Sequence, residues 1–217
     1  LIELVLIGLV ALLFISVALA PLEALGWWAG WRGGRRRAEP VGQAEPPPPP
    51  AEHYLVYLAG VNAIAGDVIA DVEQRFLTRL QQALPGTVVI ADVFPYSVTN
   101  TGLNGERMFA WLWRRMERLR LRRPGALLAQ LIHLRNLFQV AVSADQRYGP
   151  IYNFGVSEEI LAGLRRGGYS PDRPVPVTLL GWSGGAQIAV GAAPFLVRAL
   201  DTPVQVISLG GVVAADP

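Results

Sequence analysis

From residue 53 onward, short apolar runs alternate with longer stretches in which apolar residues return every three or four positions. HYLVYLAG (53–60), TVVIADVFPY (87–96), VPVTLLGW (175–182) and VQVISLGG (204–211) are compact and apolar, and Gly or Pro lies within or beside each of them. That pattern predicts buried strands. Between the first two, GDVIADVEQRFLTRLQQA (66–83) places Val68, Val72, Phe76 and Leu80 at helical spacing, and Pro85-Gly86 end it. Residues 105–145 read as helix on both sides of Pro124-Gly125, and 152–166 and 185–200 read as two more helices. Strands alternating with helices predict an α/β class: a mostly parallel sheet flanked by helices and joined by right-handed crossovers. The helices at about 103–150 break the rhythm and read as a helical cap insertion. No period repeats along the chain.

The first 52 residues follow a different pattern. Leu4 to Ala20 carries no charge, and the apolar stretch runs on to Trp31 with only Glu23 inside it. About 20 such residues cross the hydrocarbon layer, so residues 1–31 are expected to form a transmembrane anchor. Trp27, Trp28 and Trp31 suit the interface, where an indole keeps its N–H wet. Arg32, Arg35, Arg36 and Arg37 follow at once. The positive-inside bias then places the following domain in the cytoplasm. A signal peptide ending near Ala18-Leu19-Ala20 is the competing reading, but it lacks a basic start and its arginines lie on the wrong side. Residues 32–52 form an Arg-rich and Pro-rich linker, whose five consecutive prolines favour extended polyproline II. Residues 53–217 form the remaining domain.

Composition narrows the chemistry. Hydrophobic residues make up 52% of the 217 and charged ones 17%, more apolar than one soluble domain needs, which fits the anchor. The 19 basic residues are all Arg, yet the net charge is only +2 and no nucleic-acid motif accompanies them, so no nucleic-acid partner is expected. The chain has no Cys, which excludes disulfides and thiol catalysis within it. Neither G-x-x-x-x-G-K-[ST] nor G-x-G-x-x-G occurs, and no metal or organic cofactor is implied.

One stretch carries candidate chemistry. Gly181-Trp182-Ser183-Gly184-Gly185 fits G-x-S-x-G, at the junction of a predicted strand and a predicted helix. A tight turn made of small residues is one reading. The other is a nucleophile elbow, in which Gly181 and Gly185 let the chain bend sharply and lift the Ser183 hydroxyl above the sheet, with a helix N-terminus behind it. HYLVYLAGVN, TVVIADVFPY and TLLGWSGGAQ occur in the order of the α/β-hydrolase family, and residues 53–217 resemble it. The resemblance implies a serine esterase or lipase-like fold, incomplete at the C-terminus. It also implies Ser183 as nucleophile and an oxyanion hole from the backbone N–H of Gly184 and of the Gly60-Val61-Asn62 loop. The family often carries His-Gly in that loop, whereas this chain has Ala59-Gly60.

A serine needs a base. The family order is Ser, then Asp or Glu, then His, but His53 and His133 both precede Ser183. His53 reads as a surface residue at a strand start, and His133 as a packing or solvent-facing residue of the inserted helices. Asp216, just after the fourth strand, reads as a plain loop aspartate or as a candidate acid, since some members of the family place their acid there. The base histidine is expected beyond Pro217, in a longer protein. The insertion sets Phe109, Trp111, Leu112 and Trp113 beside Arg114, Arg115, Arg118, Arg120, Arg122 and Arg123. That suits a lid meeting lipid, or equally an ordinary cap with a solvated arginine face. The sequence therefore leads to a membrane-anchored serine hydrolase acting on an apolar acyl substrate, small-molecule or lipid. An inactive scaffold domain that kept the elbow is the alternative.

Overall fold

A computed structural model describes residues 8, 11, 15, 51–63, 69, 71–97, 130–211 and 213. Four strands form where the apolar runs predict them: β1 (His53–Leu58), β2 (Thr87–Ile90), β3 (Val177–Trp182) and β4 (Val204–Leu209). All pair in parallel, in the order β2-β1-β3-β4. Among the described residues four helices accompany them: α1 (Asp71–Ala83), α2 (Gln130–Ala144), α3 (Gly149–Arg166) and α4 (Gly184–Ala199). The chain is thus an α/β protein with a parallel sheet flanked by helices.

The strand order explains the layering. The step from β1 to β2 goes one way along the sheet, and the steps to β3 and β4 go the other way. With right-handed crossovers, a reversal of direction moves the connecting helices to the opposite face. Accordingly α1 packs on one face through Phe76, Leu77 and Leu80 against Leu55, Tyr57 and Leu180. Helices α2, α3 and α4 contribute Ile132, Val156, Ile160, Ile188 and Leu196 to the core on the other face, over Val56, Leu58 and Leu179. The reversal lies between β1 and β3, and in open α/β sheets ligand sites generally lie beyond the C-terminal ends of the strands at such a point.

Three details differ from the sequence pattern. Strand β2 stops at Ile90, because its pairing with β1 ends there and Pro95 offers no N–H to a ladder. The apolar residues that follow, Val93, Phe94 and Tyr96, turn into the core instead. Helix α3 starts three residues early, with a proline in its first turn and Asp145 accepting the N–H groups of Arg147 and Tyr148 just before it. On α1 the buried side chain is Leu77, whereas Val72 is 61% exposed. The helix is rotated so that Glu73 faces the sheet, where its carboxylate accepts the Tyr57 hydroxyl at 2.7 Å.

Among the described residues no helix is long and apolar enough to cross a membrane. The expected anchor (1–31, apart from residues 8, 11 and 15) lies outside the described residues, and so do residues 32–50 of the linker. The whole of the first expected inserted helix, before Pro124-Gly125, with its aromatic and arginine set, also lies outside them.

Candidate active site

Strand β3 ends at Trp182 and α4 begins at Gly184, so a single residue, Ser183, makes the whole turn. Its backbone is at φ 51°, ψ −120°, and it is the only non-glycine residue with positive φ among the described residues. A side chain in that region costs on the order of 1–3 kcal/mol and persists only where its surroundings force it. They do so here. Ser183 N–H donates to Leu209 O at 3.0 Å, and Ala186 N–H donates to Ser183 O at 3.1 Å.

Close packing on both sides of the turn requires glycine. A side chain at Gly181 would overlap the backbone of Ala186, and one at Gly185 would overlap the carbonyl oxygens of Leu58 and Ala59. These obstacles are main-chain atoms, which cannot swing aside as a flexible side chain can. Gly181 and Gly185, the two glycines of the motif, therefore let β3, α4 and the end of β1 approach closely.

Serine at a helix N-cap normally bonds the N–H groups of the first turn. Ser183 occupies the N-cap position of α4 yet makes no side-chain cap hydrogen bond. Gly184, as the first helical residue, keeps an N–H that no carbonyl of its own helix can accept.

The end of β1 supplies the other wall. A methyl group built on Gly60 would lie 3.5 Å from Ser183 Cβ and 3.2 Å from Trp182 Cδ1. One on Gly184 would stand 2.6 Å from Val61 Cγ1 and 2.8 Å from Val140 Cγ2. Ser183, Gly184, Gly60 and Val61 are thus neighbours beyond the C-terminal ends of β1 and β3, where the strand order reverses. Ser183 and Gly184 are half-buried, while Gly60 is buried.

No family model, curated protein or solved structure matches this chain.

The histidines separate. His53 starts β1, at the end of the sheet remote from Ser183, and its Nε2 lies 2.8 Å from Thr178 Oγ1. It is half-buried rather than a free surface residue, and burial lowers its pKa below the usual 6.5. His133 lies on α2, half-buried, on the stripe that also carries Asn136 and Val140. Neither is hydrogen-bonded to Ser183 among the described residues. Asp216 lies outside the described residues. Among the described residues no three His, Asp or Glu side chains gather as a metal site would require. Two shallow surface clefts, of about 410 and 440 Å³, lie along the outer edge of β2 and along α4 beside β4, and neither is lined by Ser183.

Sequence reasoning missed a polar group behind the site. Asn136 Nδ2 donates to the carbonyls of Val61 and Ala63, each at 2.8 Å. Arg135 Nη1 donates to Asn136 Oδ1 at 2.9 Å and to Tyr96 O at 3.0 Å. The Tyr96 hydroxyl donates to Ala59 O at 2.9 Å. Burial, followed by the nearby Tyr152, Glu73 and Tyr57, raises the Tyr96 pKa well above its ordinary value, so the hydroxyl stays a donor. The only sequence signal was a polar stripe (Arg135, Asn136, Gln139, Ser143) at core-facing spacing on a helix otherwise rich in apolar residues.

Proposed function

We propose that this chain is a serine hydrolase of the α/β-hydrolase kind, of esterase or lipase type, with Ser183 as nucleophile and an apolar acyl compound as substrate. One observation carries the reading. Ser183 holds a positive φ in a one-residue turn between strand and helix while its hydroxyl caps nothing. Strain of this kind clusters at functional sites, and an N-cap serine that does not cap has its oxygen free for other chemistry.

In this reading Ser183 Oγ attacks the substrate carbonyl and forms a tetrahedral oxyanion. The N–H of Gly184 and that of Val61 are the donors that hold the oxyanion, helped by the N-terminal dipole of α4. The hydroxyl proton passes to a histidine base, which the family resemblance expects after the last strand of the fold, with Asp216 as the acid that orients it. An N-terminal anchor would keep the enzyme at a bilayer, on the cytoplasmic side, where acyl substrates collect.

A second reading, an inactive binding or scaffold domain, is favoured by the lack of any histidine bonded to Ser183 among the described residues. Labelling of the complete protein with a fluorophosphonate separates the two. Covalent labelling lost in Ser183→Ala supports the hydrolase. A complete protein that is folded and yet labels no faster than Ser183→Ala supports the scaffold.

A further inference from the structure

The loop that leaves β1 is held unusually firmly for a loop. It runs Ala59-Gly60-Val61-Asn62-Ala63, and Ala63 N–H closes it on Gly60 O at 2.9 Å. Side chains occupy three more of its carbonyls: Tyr96 takes that of Ala59, and Asn136 takes those of Val61 and Ala63. All of these side-chain donors lie well outside the loop, on α2 or in the segment after β2.

Each trans peptide is planar, so a held carbonyl fixes the N–H on the other side of the same plane. Tyr96 thereby fixes the Gly60 N–H, and Asn136 fixes the Asn62 N–H. The Val61 N–H belongs to the Gly60 peptide, whose carbonyl is tied to Ala63. Asn136 clamps that turn at two points. A loop left to itself would turn these peptides freely, and a donor that must reorient during reaction loses much of its value.

Asn136 can act in only one orientation. Arg135 offers donors and no acceptors, so the amide oxygen of Asn136 must face the guanidinium. The amide nitrogen is then forced towards the loop, and both of its protons are used. Arg135 is 1% exposed and Asn136 is fully buried, so water does not compete for these bonds. Burying a guanidinium is costly, and its bonds to Tyr96 O and Asn136 Oδ1 offset part of that cost.

We infer that Asn136, locked by Arg135 and assisted by Tyr96, is the positioning residue of the oxyanion hole: it sets the donors of the 59–63 loop before substrate arrives. The inference rests on the hydrolase reading of Ser183. It also gives part of the inserted segment a role inside the site instead of over it.

The test uses the complete protein and two variants. Asn136→Asp keeps shape and can still meet Arg135, but it replaces the two donated hydrogen bonds with repulsion of the Val61 and Ala63 carbonyls. Tyr96→Phe removes only the hydroxyl bonded to Ala59. Fluorophosphonate labelling rates and turnover of a short p-nitrophenyl ester are measured for each, with thermal unfolding alongside. Asn136→Asp is expected to lower labelling rate and kcat by about 10- to 100-fold with KM little changed, and Tyr96→Phe by a smaller factor. Wild-type rates in Asn136→Asp, or, should that variant not fold, in a folded Tyr96→Phe, would overturn the positioning role while leaving Ser183 as nucleophile. A fall in melting temperature with kcat intact would reduce Asn136 to a structural residue. Absence of Ser183-dependent labelling in the wild type would remove the hydrolase reading and this inference with it.

Discussion

Gly185 rests against the carbonyl oxygen of Leu58, so closely that no side chain fits between helix α4 and the end of β1. The same contact brings the loop after β1 to Ser183. Gly185→Ala would force two main-chain segments apart. Overpacking usually costs about 1–3 kcal/mol, and rigid neighbours put this site at the upper end. Denaturant unfolding of wild type and variant should show that loss, and Ser183 labelling should fall with it.

The strain at Ser183 can be read directly. Glycine adopts positive φ freely, whereas alanine does not. Ser183→Gly and Ser183→Ala should both abolish labelling. Ser183→Gly should nevertheless be the more stable of the two, by about 1 kcal/mol in denaturant unfolding. Equal stability would limit the strain to about the 0.5–1 kcal/mol of extra chain entropy that glycine loses on folding.

Two arginines should behave oppositely. Arg166 pairs with Asp92 at 2.7 Å, but both side chains are about half exposed. Arg166→Ala should cost less than about 1 kcal/mol, and less still in high salt. Arg135 is buried, and Arg135→Met strands the Tyr96 carbonyl and the Asn136 amide oxygen. Its loss should be about 3 kcal/mol and insensitive to salt. Urea midpoints at two salt concentrations test both.

His53 gives a pH dependence with a definite sign. Burial lowers its pKa in the folded state, so the unfolded chain binds the proton more readily. Stability from this source is present above the unfolded value of 6.5 and is lost as pH falls through the lower folded value. Between about pH 7.5 and 5 the wild type should lose stability, and His53→Gln should lose less. A matching slope in the variant would assign the effect to another group.

The strands and the bend at Ser183 were legible in the sequence because both are local. Four apolar runs gave four strands, and G-x-S-x-G fell at a strand–helix junction. The α1 stripe was legible only in part, since Glu73 turns inward for Tyr57 and takes the face that Val72 was expected to hold. Helix α2 departs from its pattern in part: Ile132 is buried as expected, but Leu137 and Phe138 are exposed while Arg135 and Asn136 are buried. The reason is the set of loop carbonyls beneath it, whose demand for donors outweighs the apolar pattern. Those carbonyls lie 73 and 75 residues from Asn136, too far for any periodicity to report. The strand order has the same character, because it depends on crossovers and not on any one segment.

Strand β4 closes one side of the described sheet, and its last carbonyl, that of Leu209, grips the amide of Ser183. The bend is therefore a single bond away from the rim. A pull on that rim, or a companion strand added there, would reach the serine by way of the main chain before it disturbed the core.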